Sequence, residues 1–462
     1  MKEYDAIIIG SGQAGTPLAR RLAKAGWKVA IIEQKWPGGT CVNVGCTPTK
    51  TMVASARMAY QARRSDEYGI GTGDVTVDMP AVIERKAQVV SSFRHGSEKS
   101  LISVPGIELI YGEAAFTDDK IVVVNLNNGG SEILTAEKIF INVGCSPSIP
   151  PIPGLKEVPY LTSETLMELK EIPGHLLIVG AGYIAMEFGQ MYRRFGSKVT
   201  ILEHAEQLLV KEDEDIAREI LKIFTEEDIA IHTSAEIKEI KKIDKGLRAS
   251  IKLTDKDIEM DCTHVLIGAG RTPNTAGLGL EHTKIAIDKK GYIQVNDKLE
   301  TAVDGVYALG DVKGGPAFTH ISYNDYIVVC KNILDGKDIS IAGRQVPYCM
   351  FTDPELGRVG MTEREARKKG LNIKVAILPM SHVARGIETG ETKGLMKAVV
   401  DADTKQILGV AILGEQGGEI MSVLQMAMMG GIGYDVIREN IFAHPTFAES
   451  LNNLFMTLDK QG

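Results

Sequence analysis

Residues 38–50 have the sequence GGTCVNVGCTPTK, in which Cys41 and Cys46 stand five positions apart. The residues that follow predict a helix from Thr51 to about Arg64, so both thiols precede a helix N-terminus. The helix dipole and unpaired backbone N–H groups stabilise a thiolate there and lower its pKa. Two thiols this close in sequence can also form a disulfide across a short loop. The stretch therefore predicts a segment that cycles between dithiol and disulfide.

The spacing of this pair is also compatible with two other roles, a pair of buried structural cysteines or half of a zinc site. Zinc usually takes four ligands from two closely spaced pairs. The remaining cysteines are isolated in the sequence; they are Cys145, Cys262, Cys330 and Cys349. The flanking Gly-Gly-Thr and Pro-Thr-Lys favour the redox role, and we predict no metal site and four thiols without a role in the reaction.

The bulk composition is that of a globular protein with more than one domain. The chain has 462 residues, of which 44% are hydrophobic and 24% charged, and its length predicts two or three domains. A net charge of −8 argues against nucleic acid as a partner. We see no apolar run of membrane-spanning length and no room for a signal peptide before the first strand. We therefore expect a cytoplasmic protein that does not bind membranes.

A dinucleotide fingerprint occupies the first 33 residues. A strand predicted from Tyr4 to Ile9 leads into GSGQAG at residues 10–15 and then into a helix that ends near Ala25. The glycines permit a tight turn beside a pyrophosphate, the helix N-terminus faces the phosphates, and an acid after the second strand binds a ribose hydroxyl. The residues predicted to contact the nucleotide are Gly10, Gly12, Gly15 and Glu33.

A second fingerprint begins at a strand predicted from Leu176 to Val179. It continues as GAGYIA at residues 180–185, and a strand from Lys198 to Leu202 precedes Glu203. Ordinary strand–turn–helix corners are the alternative, but they would have to occur twice. Two fingerprints predict two dinucleotides, and the second contacts Gly180, Gly182 and Glu203.

Residues 38–50 resemble the redox-active disulfide segment of the FAD-dependent pyridine nucleotide–disulfide oxidoreductases. This family includes glutathione reductase, dihydrolipoamide dehydrogenase and mercuric reductase, and matching motifs recur as far as residue 449. The resemblance implies an α/β fold with two Rossmann-like dinucleotide-binding domains, for FAD and NAD(P), and a C-terminal α+β dimerisation domain. The implied segments are 1–150 and 272–340 for FAD, 151–271 for NAD(P) and 345–462 for the dimer interface.

Further stretches resemble the cofactor-binding segments of this family. In Thr301–Asp311 the carboxylate of Asp311 would meet the ribityl chain, although the residue alone would suggest an N-cap or turn aspartate. Residues 144–147 and 271–274 resemble the crossings between the two nucleotide domains. The FAD contacts implied are Gly10, Gly12, Gly15, Glu33, Thr40, Lys50, Ala114, Gly144, Arg271, Gly310, Asp311 and Thr319.

The resemblance also assigns residues to the nicotinamide side. Glu187 would pair with Lys50 near the flavin N5, and Tyr183 would gate the nicotinamide pocket; alone, they would be a solvated helix charge and a packing residue. The NAD(P) contacts implied are Gly180, Gly182, Tyr183, Ile184, Glu187, Glu203 and Gly270.

One carboxylate predicts the choice of nicotinamide cofactor. Glu203 can accept hydrogen bonds from both hydroxyls of an unphosphorylated ribose, and it repels a 2′-phosphate. No arginine follows it in residues 204–207, and Lys211 is succeeded by two acids. Ala185, in the third glycine position, favours NADPH instead. Because Glu203 would meet the discriminating group directly, we expect NADH to be favoured, with NADPH possible.

The last motif pairs His444 with Glu449 and resembles the catalytic dyad of the family, although a lone histidine is usually structural. The carboxylate would orient the imidazole. In the family the dyad reaches the disulfide of the other subunit, which implies a homodimer with shared active sites. In the implied cycle reduced nicotinamide reduces FAD, Cys46 contacts the flavin, Cys41 attacks the substrate and His444 delivers a proton. The catalytic residues implied are Cys41, Cys46, Lys50, Glu187, His444 and Glu449.

The electron acceptor is predicted from finer resemblances. Residues 454–462 lack cysteine, and no metal-binding module precedes the first strand, which argues against mercuric reductase. Dihydrolipoamide dehydrogenase fits the dyad but differs at residues 318–322. Residues 138–142 and 439–445 are similar to the reactive-chlorine-resistance flavoproteins and hypothiocyanous acid reductases. We expect a small oxidant such as hypothiocyanous acid, or Cu(II), with those two enzymes and a redox-inactive flavoprotein scaffold as alternatives.

Overall fold

The structure is a computed structural model that describes residues 1–461. Short strands alternate with helices along the chain. The strands, numbered in chain order, are β1 Lys2–Ile9, β2 Val29–Glu33, β3 Ile107–Asp118, β4 Ile121–Leu126, β5 Ser131–Ile141, β6 Cys145–Pro147, β7 His175–Val179, β8 Lys198–Leu202, β9 Ile229–His232, β10 Glu236–Ile243, β11 Gly246–Lys252, β12 Asp257–Cys262, β13 His264–Ile267, β14 Arg271–Pro273, β15 Val306–Ala308, β16 Tyr348–Met350, β17 Glu355–Gly360, β18 Ile373–Pro379, β19 Leu395–Asp401 and β20 Ile407–Gly414.

The helices vary from single turns to helices of several turns. In chain order, the α-helices of the described part are α1 Gly15–Lys24, α2 Gly39–Asn43, α3 Cys46–Arg63, α4 Met79–Ile102, α5 Ser163–Leu166, α6 Tyr183–Phe195, α7 Glu214–Glu226, α8 Thr319–Asp335, α9 Glu363–Lys368, α10 Ala384–Glu388, α11 Gly417–Met429, α12 Tyr434–Glu439 and α13 Ser450–Met456. Within residues 1–461, no helix combines the length and apolar character that crossing a bilayer requires.

The chain forms two compact units. The first consists of Met1–Thr51, Ala81–Ser148 and Gly270–Arg344; the second consists of Met52–Pro80, Ile149–Ala269 and the chain from Gln345 onward. Each unit therefore contains one of the two glycine fingerprints. The four segment boundaries expected from the sequence stay a prediction.

The first unit is built on a parallel sheet in the order β3–β2–β1–β5–β15. The C-terminal part of β3 and the N-terminal part of β5 pair with β4 as an antiparallel meander. Successive residues of β1 face opposite sides, so Ile7 packs in one core while Ile8 packs in another against α1 and α8. Burial on both faces explains the continuous apolar run of this strand.

The turn after β1 is fixed by close backbone packing. A Cβ on Gly15 would lie 2.1 Å from the carbonyl oxygen of Gly10, and a Cβ on Gly10 would lie 2.3 Å from that of Asn142. Only glycine permits both approaches. The buried Asn142 side chain accepts a hydrogen bond from Gly15 N at 2.9 Å and donates one to Leu309 O at 2.9 Å. Asn142 thus joins the ends of β5 and β15 to the start of α1.

The second unit contains three sheets. A parallel sheet in the order β13–β7–β8–β9 carries the second fingerprint, and β10–β11–β12 form an antiparallel sheet. The antiparallel sheet β16–β17–β20–β19–β18 follows in the C-terminal part of the chain. Helices α11 and α13 pack on this last sheet and close a core that includes Val410, Leu424 and Phe455. This mixed architecture is the α/β class that the sequence predicts.

Candidate functional site

The two cysteines predicted to form the redox pair lie on two consecutive helices of the first unit. Cys41 lies within α2, and Cys46 is the first residue of α3. The sequence expectation that this helix begins at Thr51 is wrong by five residues. The helix starts early because Thr49 N and Thr49 Oγ1 both bond to Gly45 O, at 3.1 and 2.7 Å, which closes the first turn at the second cysteine.

The segment of residues 36–46, called the redox loop below, passes directly over the first glycine turn at residues 10–15. A Cβ on Gly39 would lie 2.7 Å from the Cα of Gly12. Gly38 N donates to Ser11 O at 3.1 Å, and the Gln13 side chain donates to Gly38 O at 3.1 Å. The dithiol is therefore held against the fingerprint that is predicted to bind FAD.

The two thiols interact with each other. A hydrogen bond with Cys46, followed by burial, raises the pKa of Cys41 far above its usual range, while Thr319 and Lys50 act in the opposite direction. The Thr319 hydroxyl also lies 3.5 Å from the Cys46 sulfur. The lowered pKa expected from the helix dipole is therefore wrong for Cys41.

The isolated cysteines have a different environment. Burial raises the pKa of Cys145, Cys262 and Cys330 to about 12 in each case. Such thiols stay protonated near neutral pH and are poor nucleophiles. Cys349 is half-buried beside Glu355. Burial thus makes the first three thiols unreactive, and the expectation that all four are outside the reaction stays a prediction.

The first fingerprint has the donors and open space that a dinucleotide needs. Both carboxylate oxygens of Glu33 accept backbone hydrogen bonds, Oε2 from Ser11 N at 3.1 Å and Oε1 from Lys35 N at 2.8 Å. The acid is therefore fixed at the end of β2 with acceptor capacity left for a ribose hydroxyl. A Cβ on Gly144, which has a φ of +68°, would meet no atom of the described residues within 4 Å, so there is space on this side.

Two polar side chains near β6 and β14 also fit FAD. Burial raises the pKa of the half-buried Asp311 carboxyl, while the Arg271 and Lys313 charges act in the opposite direction. Arg271 donates to Cys145 O, but its buried Nε has no partner among the described residues. A ligand that carries hydroxyl donors and phosphate acceptors would satisfy both groups. Gly310, also predicted to contact FAD, donates its N–H to the buried Asp325 at 2.8 Å.

Three other residues expected to contact FAD have different surroundings. Ala114 is buried in the core of the first unit with Ile110 and Phe116, so its side chain is a packing residue. Thr40 is half-buried in α2, and Lys50 is half-buried in the first turns of α3. Their contacts with FAD stay predictions.

The second fingerprint repeats the geometry of the first. A Cβ on Gly180 would lie 2.7 Å from Gly268 O, whereas Gly182 and Gly270 face open space. Glu203 accepts hydrogen bonds from Ala181 N at 2.7 Å and from Ala205 N at 2.9 Å. The carboxylate predicted to read the ribose is therefore held beside the glycine turn. Tyr183 and Ile184 are half-buried in the first turn of α6.

Two acids after Glu203 lie in buried ion pairs. Glu212 contacts Arg358 at 3.3 Å, and Asp213 contacts Lys397 at 3.1 Å. Both acids are therefore buried and paired inside the second unit, where Lys397 is shared with two further carboxylates. In the sequence these acids stand beside Lys211, whereas the cations that pair with them stand about 150 residues or more away along the chain.

Glu187 is buried rather than solvated. Only 3% of its surface is exposed, and Oε1 accepts a hydrogen bond from Phe351 N at 2.8 Å. A buried carboxylate on α6 is costly unless it has partners, which argues against a role as a surface charge. Lys50 belongs to the other unit, and its pairing with Glu187 stays a prediction.

The C-terminal dyad is formed as expected. His444 Nδ1 lies 2.9 Å from Glu449 Oε2 and 3.0 Å from Oε1, and 68% of the imidazole surface is exposed. A carboxylate on Nδ1 orients the ring and leaves Nε2 directed away for proton exchange. A cavity of about 600 Å³ adjoins this segment, lined by Pro445–Phe447, Arg57, Arg64, Glu391 and Glu415.

The acids near this cavity form ion pairs. Asp353, Glu391 and Glu415 have oxygens close enough together to hold a metal ion. Arg57 contacts Glu415 at 2.6 Å and Arg194 contacts Asp353 at 2.6 Å, while Arg64 contacts Glu391 at 3.2 Å. Each carboxylate already has an arginine, so the group is an ion-pair network.

The fold and this site define a class of protein, a disulfide oxidoreductase with two dinucleotide sites. Residues 4–325 match the pyridine nucleotide-disulphide oxidoreductase family, and residues 346–455 match its dimerisation domain. The chain belongs to this family. It is an oxidoreductase that uses FAD and a nicotinamide dinucleotide, and the dimerisation domain supports a homodimer.

Similar proteins cover nearly the whole chain. The probable pyridine nucleotide-disulfide oxidoreductase RclA of Escherichia coli is 40% identical over 98% of this chain and 99% of its own length. A mercuric reductase of Staphylococcus aureus is 35% identical over 99% of this chain and 83% of its own, and a dihydrolipoyl dehydrogenase of Thermus scotoductus is 33% identical over 100% and 98%. A solved Cu(II) complex of the HOCl-induced flavoprotein disulfide reductase RclA from Escherichia coli superposes with a TM-score of 0.91 at 39% identity, covering 99% of this chain and 100% of that one.

The hydroxyl of Thr319 should tune the redox thiols. In Thr319→Val the hydrogen bond that lowers the pKa of Cys41 is lost, so the pKa rises and less thiolate forms at neutral pH. The loss of a hydrogen bond of about 1 kcal/mol corresponds to about fivefold slower alkylation below the pKa. The measurement is the pH dependence of iodoacetamide alkylation of the reduced enzyme. Thr319→Ser, which keeps the hydroxyl, is the control; identical profiles for both variants would contradict the assignment.

Proposed function

We propose that this enzyme passes electrons from a reduced nicotinamide cofactor, through FAD and the Cys41–Cys46 pair, to a small oxidant. Hypothiocyanous acid or Cu(II) is the favoured acceptor. The observation that carries this proposal is the contact between the two thiols beside Thr319, in a loop packed on the first fingerprint turn. Thiols in such contact can form and reopen a disulfide with little movement of the backbone.

The choice of acceptor draws on similarity. Residues 138–142 and 439–445 are similar to the hypothiocyanous acid reductase branch, and a relative at 40% identity is RclA. RclA has been solved as a Cu(II) complex. Mercuric reductases and a dihydrolipoyl dehydrogenase match at lower identity, so Hg(II) and lipoamide are the competing acceptors.

The chain's own residues carry the thiol chemistry. The Cys41 thiolate attacks the sulfur of hypothiocyanous acid, forms a sulfur–sulfur bond and releases hydroxide, which takes a proton to become water. Cys46 then attacks the Cys41 sulfur, closes the disulfide and releases thiocyanate. With Cu(II), the same two electrons reduce two ions to Cu(I). When bound, FAD supplies the two electrons that reopen the disulfide, taken as a hydride from the nicotinamide.

Protons must enter and leave this cycle. The raised pKa of Cys41 means that its proton is held in the hydrogen bond with Cys46 until a base accepts it. We assign this task to His444, oriented by Glu449, acting on the cysteine pair of the second subunit. The exposed imidazole supports this assignment, since such a group is available to a partner surface. Each active site would then need both chains.

The nicotinamide preference is assigned to Glu203. Its carboxylate is fixed at the second glycine turn by two backbone N–H groups, and Glu212 and Asp213 are buried in ion pairs with Arg358 and Lys397. Glu203 is therefore the charge that a 2′-phosphate would meet. We infer a preference for NADH.

The acceptor and the cysteine pair are tested together. Steady-state assays with hypothiocyanous acid, Cu(II), Hg(II), lipoamide and glutathione disulfide should give a kcat/KM at least about tenfold higher for one of the first two. Cys41→Ser and Cys46→Ser should keep FAD bound and lose this activity, because the glycine turns and not the thiols bind the cofactor. Cys349→Ser is the matched control and should remain active. Full turnover in either redox-pair variant, or a clear preference for lipoamide or Hg(II), would refute the proposal.

A shared active site predicts complementation between inactive subunits. His444→Ala and Cys41→Ser homodimers should both be slow, whereas a heterodimer of the two contains one intact site and should recover about half of the activity. Two different affinity tags allow the heterodimer to be purified before the assay. If verified heterodimers stay as slow as their parents, each site is built within a single chain.

Reversing the charge at position 203 should change the cofactor preference. We expect Glu203→Arg to shift the ratio of kcat/KM values toward NADPH by about tenfold or more, equivalent to about 1.4 kcal/mol. Glu206→Arg makes the same charge change at an exposed acid that lies outside the turn, and it should shift the ratio much less. A preference for NADPH in the unmodified enzyme would show that Glu203 does not decide the choice.

A further inference from the structure

The loop between the two redox cysteines is held by the side chain of Asn43. This residue is buried at the end of α2, and its Nδ2 donates to Pro37 O at 3.0 Å and to Gly39 O at 2.9 Å, with Trp36 O at 3.3 Å. The acceptors belong to the turn that leads into Cys41, where Gly38 and Gly39 both have positive φ angles. One amide therefore ties the entry of the loop to its middle.

The oxygen of this amide is bound by Arg94. The arginine lies on α4, and its Nε is 2.7 Å from Asn43 Oδ1. Because a guanidinium can only donate hydrogen bonds, the amide must present its oxygen to Arg94. The amide nitrogen is then directed at the carbonyl groups of the turn. Without Arg94, the amide oxygen would lose its charged donor, and the carbonyl groups of the turn alone would hold the side chain.

Arg94 is held in place by an aromatic ring. Its guanidinium stacks over the indole of Trp36, at 4.4 Å from the ring centroid. Trp36 is 45% exposed, and it belongs to the turn that Asn43 bonds. The chain of contacts runs from Trp36 through Arg94 to Asn43 and returns to the Trp36 carbonyl, so the three side chains form a closed clasp around the redox loop.

We propose that Arg94 is a positioning residue for the redox pair, which acts through Asn43 to hold Cys41 and Cys46 at bonding distance. The inference rests on the proposed redox role of this pair. Holding two thiols together raises the effective concentration of one at the other and favours the disulfide. Releasing the clasp makes the disulfide easier to reduce, and the potential of the pair becomes less negative.

The direction of the shift in the reduction potential distinguishes a positioning role of Arg94 from a purely electrostatic role. A cation near the pair would stabilise the thiolate of the reduced form. If Arg94 acted only through its charge, its removal would make the potential more negative. A positioning role predicts the opposite result, a less negative potential when Arg94 is removed.

The experiment equilibrates the FAD-loaded enzyme with graded ratios of reduced and oxidised dithiothreitol, quenches with acid, alkylates the thiols and quantifies the peptide that contains both cysteines. Arg94→Met should move the dithiol–disulfide equilibrium roughly tenfold toward the dithiol, equal to about 30 mV for two electrons. Arg94→Lys keeps the charge but not the stacked planar group, and it should shift in the same direction by less. KM for the nicotinamide cofactor should be unchanged.

Four further variants test whether Arg94 acts through Asn43. In the double variant Arg94→Met/Asn43→Ala, the shift should equal that of Asn43→Ala alone, because both act through one amide. Trp36→Leu should give a smaller shift in the potential in the same direction. Because Trp36 is exposed, this variant still tests the proposal if the Asn43 variants fail to fold. Arg85→Met removes another arginine of α4, which donates to Thr51 O at 2.9 Å, and it should leave the potential unchanged.

No shift in Arg94→Met, a shift to more negative potential, or additive effects with Asn43→Ala would overturn the inference. An equal shift in Arg85→Met would also overturn it, since the effect would then belong to the helix as a whole. If the unmodified enzyme forms no Cys41–Cys46 disulfide at any ratio, the proposed function itself fails, and this outcome is distinct from those above.

Discussion

The close passage of the redox loop over the first glycine turn is the constraint on which the rest of the site depends. A side chain at Gly39 would collide with the Cα of Gly12, and one at Gly15 would collide with the carbonyl of Gly10. In both places two backbone segments are therefore packed at van der Waals distance, which is possible only where Cβ atoms are absent. This packing holds the dithiol beside the dinucleotide turn, and Cys46 is at the same time the first residue of α3.

Each fingerprint combines this steric constraint with an acid that is fixed by backbone N–H groups. Glu33 bonds to its own glycine turn through Ser11, and Glu203 bonds to the second turn through Ala181. The acids are thereby oriented by the protein chain itself, which lowers the entropic cost of ordering them when a nucleotide is bound. The two turns share this design and are the predicted sites of the two cofactors.

Much of this organisation could be predicted from the sequence, because it is encoded locally. The strand, glycine turn and acid of each fingerprint lie close together in the chain, and His444 and Glu449 stand five positions apart. Contacts between distant residues could not be predicted. The Thr319 hydroxyl reaches the Cys46 sulfur across 273 residues and Arg94 reaches Asn43 across 51, and no periodicity in the chain indicates either pairing. The ion pairs of Glu212 and Asp213 could not be predicted for the same reason, since their partners lie on β17 and β19.

If electrons pass through Cys41 and Cys46, reduction of the enzyme must convert their disulfide into two free thiols, which can be counted. The oxidised enzyme is treated anaerobically with one equivalent of NADH per subunit, then quenched and alkylated with an isotopically labelled reagent. The account predicts two new labelled thiols per subunit, at Cys41 and Cys46, with Cys145, Cys262, Cys330 and Cys349 unchanged. Consumption of NADH without labelling at these two positions would contradict the account.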